Sequence, residues 1–418
     1  MAVSLSDASY LSKSQFNLIY SVLEDLKLKD KEVTIEPLGA AGDNFVADVR
    51  VIKVKDEDEK NDVRIITKLG NTGLGKMSSL IPVFFNNEVT MYVDVLPALS
   101  ELQEKAGVAL KDAFQFATCF GFSTESQQEI ILLEDLSKHG YTMLDKYKPL
   151  SNDTIKLVLT SLADYHSMSY ALKDKSPDKF KEYAKRLIDM NDVMSEDDTT
   201  GYNMLGESFS QILDNEKYTN FVKNLFTVQS LKKTKKLKEA DTGSKYSVIV
   251  HGDTWTNNIL FRLDGDKTTD CIFIDYQLGR ESMPVTDIMY LIFNCTDYEA
   301  RASHYNEWLD HYHAQLEKSL FNFGLKINNV YPRDKLDSDM MRYAKQALTM
   351  AIMTLSIMLR MNDESANFKE AMKGQQELED MVNAMQLSTL HIESVAKIKE
   401  RIEGLIDSCF ELGLVNAV

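Results

Sequence analysis

The stretch Val248–Asp275, VIVHGDTWTNNILFRLDGDKTTDCIFID, restricts the fold more than any other part of the chain. Apolar runs at Val248–Val250, Ile259–Phe261 and Cys271–Ile274 are short and bounded by turn residues, which predicts buried strands. Asp264-Gly265 between the second and third runs marks a hairpin turn. Antiparallel pairing sets the start of one hairpin strand beside the end of the other. Asn258 and Asp275 should therefore meet at one end of the hairpin, with Asp253 just upstream on the loop. Two carboxylates and an amide at one point suit a hard cation and leave a spare base.

The chain has 418 residues, enough for roughly two to four domains of about 100–200 residues each. Its formal net charge of −17 argues against nucleic acid as a partner, because that binding needs a positive face. A nucleotide needs only a few local cations and backbone amides. Cys119, Cys271, Cys295 and Cys409 are scattered, with no CxxC or metal-ligand spacing. Reduced thiols in a cytoplasmic protein are the expectation. No basic segment followed by an apolar one opens the chain, so no signal peptide is expected. No apolar run approaches the ~20 residues that span a bilayer, so no membrane partner is expected either. No obligate protein partner is evident.

Upstream, Phe16, Ile19, Tyr20, Leu23 and Leu26 recur at helical spacing. The run Leu38–Phe45, LGAAGDNF, reads as a small-residue turn between strands. Its Gly39, Gly42 and Asn44 either bring backbone N–H groups to a phosphate or make an ordinary tight hairpin. The charge run Lys55–Lys60 reads as a solvated hairpin tip. In the strand Val63–Leu69, Lys68 shares a face with Ile66. A helix should follow, with Phe84, Phe85, Glu88, Met91, Tyr92, Val95, Leu99 and Leu102 on one stripe. A carboxylate on such a stripe is costly unless a cation meets it, and Lys68 is the nearby candidate. The alternative is that Glu88 lies at the stripe's edge and reaches water. The strand Ile130–Leu133 ends at Glu134-Asp135-Leu136, consistent with a crossover into a second domain.

From there the pattern is mostly helical. Ile155, Val158, Leu159, Leu162, His166 and Tyr170 form a stripe between Asn152, read as the N-cap, and Pro177. His166 on that stripe reads as a hydrogen-bonded core histidine rather than a catalytic one. Asp192–Asn203 is polar and loop-like. Leu231–Lys238, after a helix over Tyr218–Val228, reads as a solvated basic face or loop. Thr286 or Asp287 is placed to cap an apolar helix over Ile288–Phe293. Met350, Met353, Ile357 and Met361 share a face that reads as core filling, with a flexible pocket wall as the alternative. Ile392, Val395, Ile398, Ile402, Leu405, Cys409 and Leu412 mark a terminal helix.

His-x-Asp-x-x-x-x-Asn, a hairpin and then a strand-end Asp is the layout of a kinase catalytic loop and its metal-binding Asp. Each part answers a chemical need. An acceptor hydroxyl needs a carboxylate to orient it and receive its proton, and Asp253 fits. Mg2+ favours oxygen ligands, which Asp275 and Asn258 supply. A lysine must neutralise phosphates and a glutamate must hold that lysine, as Lys68 and Glu88 do in this order along the chain.

His251–Asn258, HGDTWTNN, together with Ile274-Asp275-Tyr276-Gln277, resembles the ecdysteroid kinase-like family. That family sits within the choline and aminoglycoside kinase group. Phe85–Tyr92, Leu133–Leu136, Leu162–His166 and Pro284–Asp287 also resemble family segments. The resemblance implies an α+β, two-lobed protein-kinase-like fold. A small β-rich N-terminal lobe (1–135) would bind nucleotide, and a large, mostly helical C-terminal lobe (136–418) would carry the catalytic hairpin and the substrate. It implies ATP- and Mg2+-dependent phosphorylation of a small-molecule alcohol, of an ecdysteroid-like steroid or foreign-compound kind. Asp253 would be the base, Asn258 and Asp275 the metal ligands, Lys68 the phosphate holder, and Glu88 the holder of Lys68. The backbone at Glu134–Leu136 would meet adenine, and Gly39, Gly42 and Asn44 stand where the family's phosphate-covering turn falls. Tyr-Gln follows Asp275 where protein kinases carry Phe-Gly. Trp255 reads either as a steroid-pocket wall or as packing. The competing reading is a non-catalytic nucleotide- or steroid-binding protein on the same fold.

Overall fold

The computed structural model describes residues 3–39, 47–55, 62–70, 75–193, 199–371 and 383–416. Its N-terminal part is a six-stranded antiparallel sheet in the order β1-β2-β3-β4-β6-β5. The strands are β1 (Val3–Ser4), β2 (Val33–Pro37), β3 (Ala47–Val54), β4 (Val63–Gly70), β5 (Cys119–Ser123) and β6 (Ile130–Glu134). Side chains alternate between the two faces of a strand, and both faces here are covered. Ile65 and Leu69 of β4 and Ile130 and Leu132 of β6 pack under helix α1 (Lys13–Asp25). Ile66 and Lys68 of β4 and Ile131 and Leu133 of β6 fall on the opposite face, where Ile66, Ile131 and Leu133 join the main core. The period of two thus aims Lys68 at the helix that follows. Ser12 and Gln15 close a reciprocal capping box that starts α1.

Helix α2 (Ile81–Thr90) passes through a π turn at Met91–Val95 into α3 (Leu96–Lys105). Pro97 lacks the N–H that would continue the regular ladder, which accounts for the widened turn. Phe84, Phe85, Met91, Tyr92, Val95 and Leu99 are buried as their stripe requires.

The remainder is mainly helical: α4 (Asn152–Lys175), α5 (Pro177–Arg186), α6 (Met190–Val193), α7 (Thr199–Ser210), α8 (Glu216–Leu225), α9 (Val228–Asp241), α10 (Val285–Cys295), α11 (Tyr298–Asn322), α12 (Ile327–Val330), α13 (Arg333–Met358), α14 (Asn362–Ala371) and α15 (Ile392–Glu411). Small strands are set among them. β7 (Tyr141–Thr142) pairs with the hairpin β9 (Ile259–Asp264) and β10 (Lys267–Phe273). β8 (Val248–Val250) pairs with β11 (Arg280–Ser282). A small β-rich lobe joined to a large helical one is the expected two-lobed α+β, protein-kinase-like fold. No helix among the described residues is long and apolar enough to cross a membrane.

Several local readings change. Ser151, not Asn152, caps α4 by accepting from the Thr154 N–H. Asn152 instead receives the Trp308 indole N–H at 2.7 Å. The polar stretch around 192–203 is helical on both sides of residues 194–198, in α6 and α7. The helix drawn over Tyr218–Val228 is two helices, because the Thr227 hydroxyl accepts the Ser230 N–H and starts α9 anew. The basic run therefore lies within α9, a helix with no buried residue.

Candidate active site

The hairpin register decides where the polar groups meet. Phe273 pairs with Ile259, and the Ile274 N–H donates to the Asn258 carbonyl at 2.9 Å. Asn258 and Asp275 therefore sit at the same hairpin end, as expected. Asn258 Nδ2 donates to Asp253 Oδ2 at 2.7 Å and to the Asp253 carbonyl at 3.0 Å, which folds the loop back onto the hairpin. Asp275 follows in a left-handed conformation, φ 66° and ψ 62°. Aspartate is among the non-glycine residues that tolerate this region.

The loop is held from below by Asp287. Its carboxylate accepts the His251 N–H and the Gly252 N–H, each at 2.8 Å, and faces His166 Nε2 at 3.1 Å. Its carbonyl accepts the Thr254 hydroxyl. Asp287 is thus not the cap of its own helix. α10 begins at Val285 with no side-chain cap, and the carboxylate serves the loop instead. His166 is the hydrogen-bonded core histidine its stripe suggested, with Nδ1 at 2.7 Å from the Tyr312 hydroxyl. Burial works against the charged form of Asp287, but His166, His251 and the Gly252 N–H hold it below the usual carboxylate range. Gly252 has φ +85°, and a Cβ there would lie 2.3 Å from the Leu278 carbonyl oxygen, so glycine is required. His251 accepts the Asp253 N–H at Nδ1 and so donates from Nε2 to the Ile274 carbonyl. That bonding selects the neutral Nε2–H tautomer, and burial keeps the ring's pKa low.

Lys68 joins the two lobes. Its Nζ lies 2.8 and 2.7 Å from the Glu88 carboxylate oxygens and 2.6 Å from Asp275 Oδ1. Glu88 is 2 % exposed, so the alternative in which it reaches water fails. Burial disfavours the lysine's charge, but the two carboxylates more than offset this and raise its pKa above the ordinary value. Asn87, beside Glu88, exchanges two hydrogen bonds with the backbone of Ile188 and donates to the Gln277 carbonyl. Rings stack across the junction: Tyr92 meets Tyr276 edge-on at 5.3 Å, and Tyr276 lies 4.5 Å from His251. The site is therefore registered by packing as well as by charge.

Burial pushes the Asp253 carboxyl up to about 7, helped by Asp275 and opposed by hydrogen bonds from Tyr290 and Asn258 and by Arg280. Its neighbour Gly252 lines a recess with Leu278, Arg280, Tyr290, Ile188 and Met350 among others; Asp253 itself does not line it. Met350 thus lines a pocket, the lesser of its two readings. Trp255 is buried in the core, which favours packing over a pocket wall. Sequence reasoning missed Asp287 in its anchoring role, Tyr290, Arg280 and Asn87. Only Asp287 carried a signal, as a carboxylate opening an apolar helix.

The remaining expected positions are less gathered. Gly39 has φ 87° just before the undescribed residues 40–46, so Gly42 and Asn44 lie outside the described residues. Glu134 uses its N–H on the Thr118 carbonyl and its carboxylate on the Thr118 N–H and on His139. Glu134 and Leu136 line a separate recess with Tyr141, Arg262 and Ile272. Asp253, Lys68 and Asp275 do not line it.

The donor set can hold a divalent cation. Asn258 turns its amide nitrogen to Asp253, which leaves Oδ1 for another partner, and Asp275 is a quarter exposed. One carboxylate and one amide oxygen suit Mg2+ whose other ligands are phosphate oxygens and water. Among the described residues no group of three or more His, Cys, Asp or Glu forms an all-protein cage.

The model of the ecdysteroid kinase-like family matches residues 41–325. No curated protein sequence matches. Among solved structures, a Plasmodium vivax ethanolamine kinase is 12% identical, with 95% of this chain and 89% of that one covered and a TM-score of 0.44. A GDP complex of a mutant aminoglycoside 2'-phosphotransferase-IIIa is 12% identical, with 94% and 98% covered and a TM-score of 0.49. The GDP complex of the wild-type enzyme is 13% identical, with 93% and 97% covered and a TM-score of 0.42.

Proposed function

The chain belongs to the ecdysteroid kinase-like family, and from that premise we propose that it transfers the γ-phosphoryl group of ATP, with Mg2+, to a hydroxyl of an amphipathic small molecule such as a steroid. The observation that carries this reading is the placement of Asp253. It is bonded to Asn258, which shares a hairpin end with Asp275 of the Lys68–Glu88 charge cluster, and its neighbour Gly252 lines a recess with Leu278, Tyr290 and Met350.

In this reading the acceptor alcohol enters the cavity and gives its proton to Asp253 as its oxygen attacks phosphorus. A base with a pKa near 7 suits proton transfer at neutral pH. Lys68 neutralises phosphate charge, and Glu88 keeps Lys68 in place. Asn258 and Asp275 would hold the metal. Bound there, Mg2+ supplies charge neutralisation on the phosphates. The segment Glu134–Leu136 would face the adenine, and Gly39, Gly42 and Asn44 would cover the phosphates. Residues 1–135 would then form the nucleotide lobe and 136–418 the catalytic and acceptor lobe.

The test is phosphate transfer from ATP to a panel of hydroxylated steroids and other alcohols, with products identified by mass spectrometry. Asp253→Ala should lower kcat on the order of 10²–10⁴-fold. Undiminished transfer in that variant would remove Asp253 as the base. Nucleotide binding with no transfer to any alcohol would favour the non-catalytic binding protein.

A further inference from the structure

The connector between α5 and α6, residues 187–189, forms part of the wall of the recess beside Gly252. Ile188 and Asp189 line it together with Leu278 and Arg280 from the segment after Asp275. Asn87 of α2 reaches this connector from the N-terminal lobe. The Ile188 N–H donates to Asn87 Oδ1 at 2.9 Å, and Asn87 Nδ2 donates back to the Ile188 carbonyl at 2.8 Å. The same nitrogen donates to the Gln277 carbonyl at 3.1 Å. Asn87 is 1 % exposed, so water does not compete for its amide. The next residue of the connector is held from the C-terminal lobe: Asp189 is met by Arg280 of β11 at 3.3 Å and by Lys238 of α9 at 3.1 Å. The recess wall is thus fastened to one lobe at Ile188 and to the other at Asp189.

We propose that Asn87 is a positioning residue that couples the two ends of the site: what occupies Lys68 sets the position of α2, and Asn87 passes that position to Ile188 and the recess wall. The role rests on Lys68 as the phosphate holder and on the recess as the place of the acceptor. Glu88, one residue on from Asn87, holds Lys68, which also meets Asp275. A phosphate at Lys68 competes with both carboxylates and so changes what holds α2. Any shift of α2 then pulls Ile188 against the anchored Asp189. A carboxamide suits the junction because it offers one acceptor and two donor hydrogens in a plane, which matches one N–H and two carbonyls. Arg186 at the end of α5 also reaches the N-terminal lobe, through Asp94 at 2.6 Å. That pair is open to solvent, where ion pairs contribute little. The coupling is reciprocal: a molecule filling the recess would tighten nucleotide binding by the factor that nucleotide tightens its own.

Hydrogen–deuterium exchange of the full chain, read by mass spectrometry in peptides spanning 187–190, decides it. The probe is the β,γ-imido analogue of ATP with Mg2+. In the wild type it should slow exchange there about 5-fold or more, the lower end of ordinary coupling energies. In Asn87→Ala that response should vanish, while slowing around Lys68 and Glu88 persists. An Asn87 that only supports the connector would raise exchange equally with and without the analogue. Ile188→Pro removes the donated N–H and leaves α2 intact. Leu187 before it is extended, with ψ 106°, as a residue preceding proline must be. This variant should weaken the same response. A wild-type connector that ignores bound analogue, or a response that survives in Asn87→Ala, overturns the proposal. A second arm needs no nucleotide. Glu88→Gln loosens α2 and should speed exchange at the connector in the otherwise wild-type chain, but add nothing in Asn87→Ala. Additive effects overturn the proposal. Non-additive effects in a chain that binds no analogue count against the kinase reading and leave the tie between Asn87 and Ile188 standing.

Discussion

Two clusters of ionised groups, one around Asp287 and one around Lys68, solve the problem of a buried charge in different ways. Asp287 is completely buried, and its donors, two loop N–H groups and His166, all belong to packed elements. Lys68 sits at the junction of the lobes and is shared by Glu88 and by Asp275, whose side chain is a quarter exposed. A carboxylate saturated from within a single lobe acts as scaffold. A cation shared across a cleft can exchange one partner for a ligand and keep the other. The difference separates what builds the loop from what handles charge that comes and goes.

The largest expected effect is at the scaffold. Asp287→Ala strands two N–H groups and a histidine in the core and should cost about 3–5 kcal/mol in urea unfolding. A loss under ~1 kcal/mol would erase the distinction between the clusters. At the junction, Glu88→Gln leaves Lys68 bonded to Asp275. It should cost about 1.5–3 kcal/mol, the range for a hydrogen bond to a charged group. A cost equal to that of Asp287→Ala would mean that Lys68 is scaffold too.

The smallest effect depends on pH and reads Asp253, which lies between the clusters. Its folded pKa is about 7 and its ordinary value is 3.8, so between these the folded chain holds the extra proton. Stability from this group is present below pH 3.8 and lost as pH rises through 7. With Asp253 as the proposed base, activity runs the other way, because a base must be ionised: kcat/KM should fall as pH drops below about 7. Asp253→Asn should accordingly raise the urea midpoint at pH 8 relative to the wild type. A lowered midpoint there would show that the carboxylate is better satisfied than its burial implies.

Much of the candidate site was legible because its parts are tied to local pattern. An Asp-Gly turn between two apolar runs is enough to place Asn258 beside Asp275, since hairpin register is a short-range property. Strand alternation put Lys68 on the face of Ile66, and the helical period put Glu88 on a buried stripe. Their meeting followed from the need of a buried carboxylate for a cation. Tyr290, Arg280 and Ile188 were not legible, because each belongs to an element with its own periodic role. Nothing local says that those elements border one cavity. Asp287 was misread for a related reason: near a helix start, a local cap and a long-range anchor look the same in sequence.

By itself, then, the sequence determined the kinds of groups present, their order, and the two short-range geometries of hairpin and strand face. Tertiary structure decided which buried donors meet Asp287, that Lys68 bridges two carboxylates rather than one, and that Tyr290 of α10 borders a recess beside Gly252. Those outcomes depend on how helices distant along the chain pack together. Packing is fixed by the shape of the whole core, whereas register and periodicity are fixed by nearest neighbours.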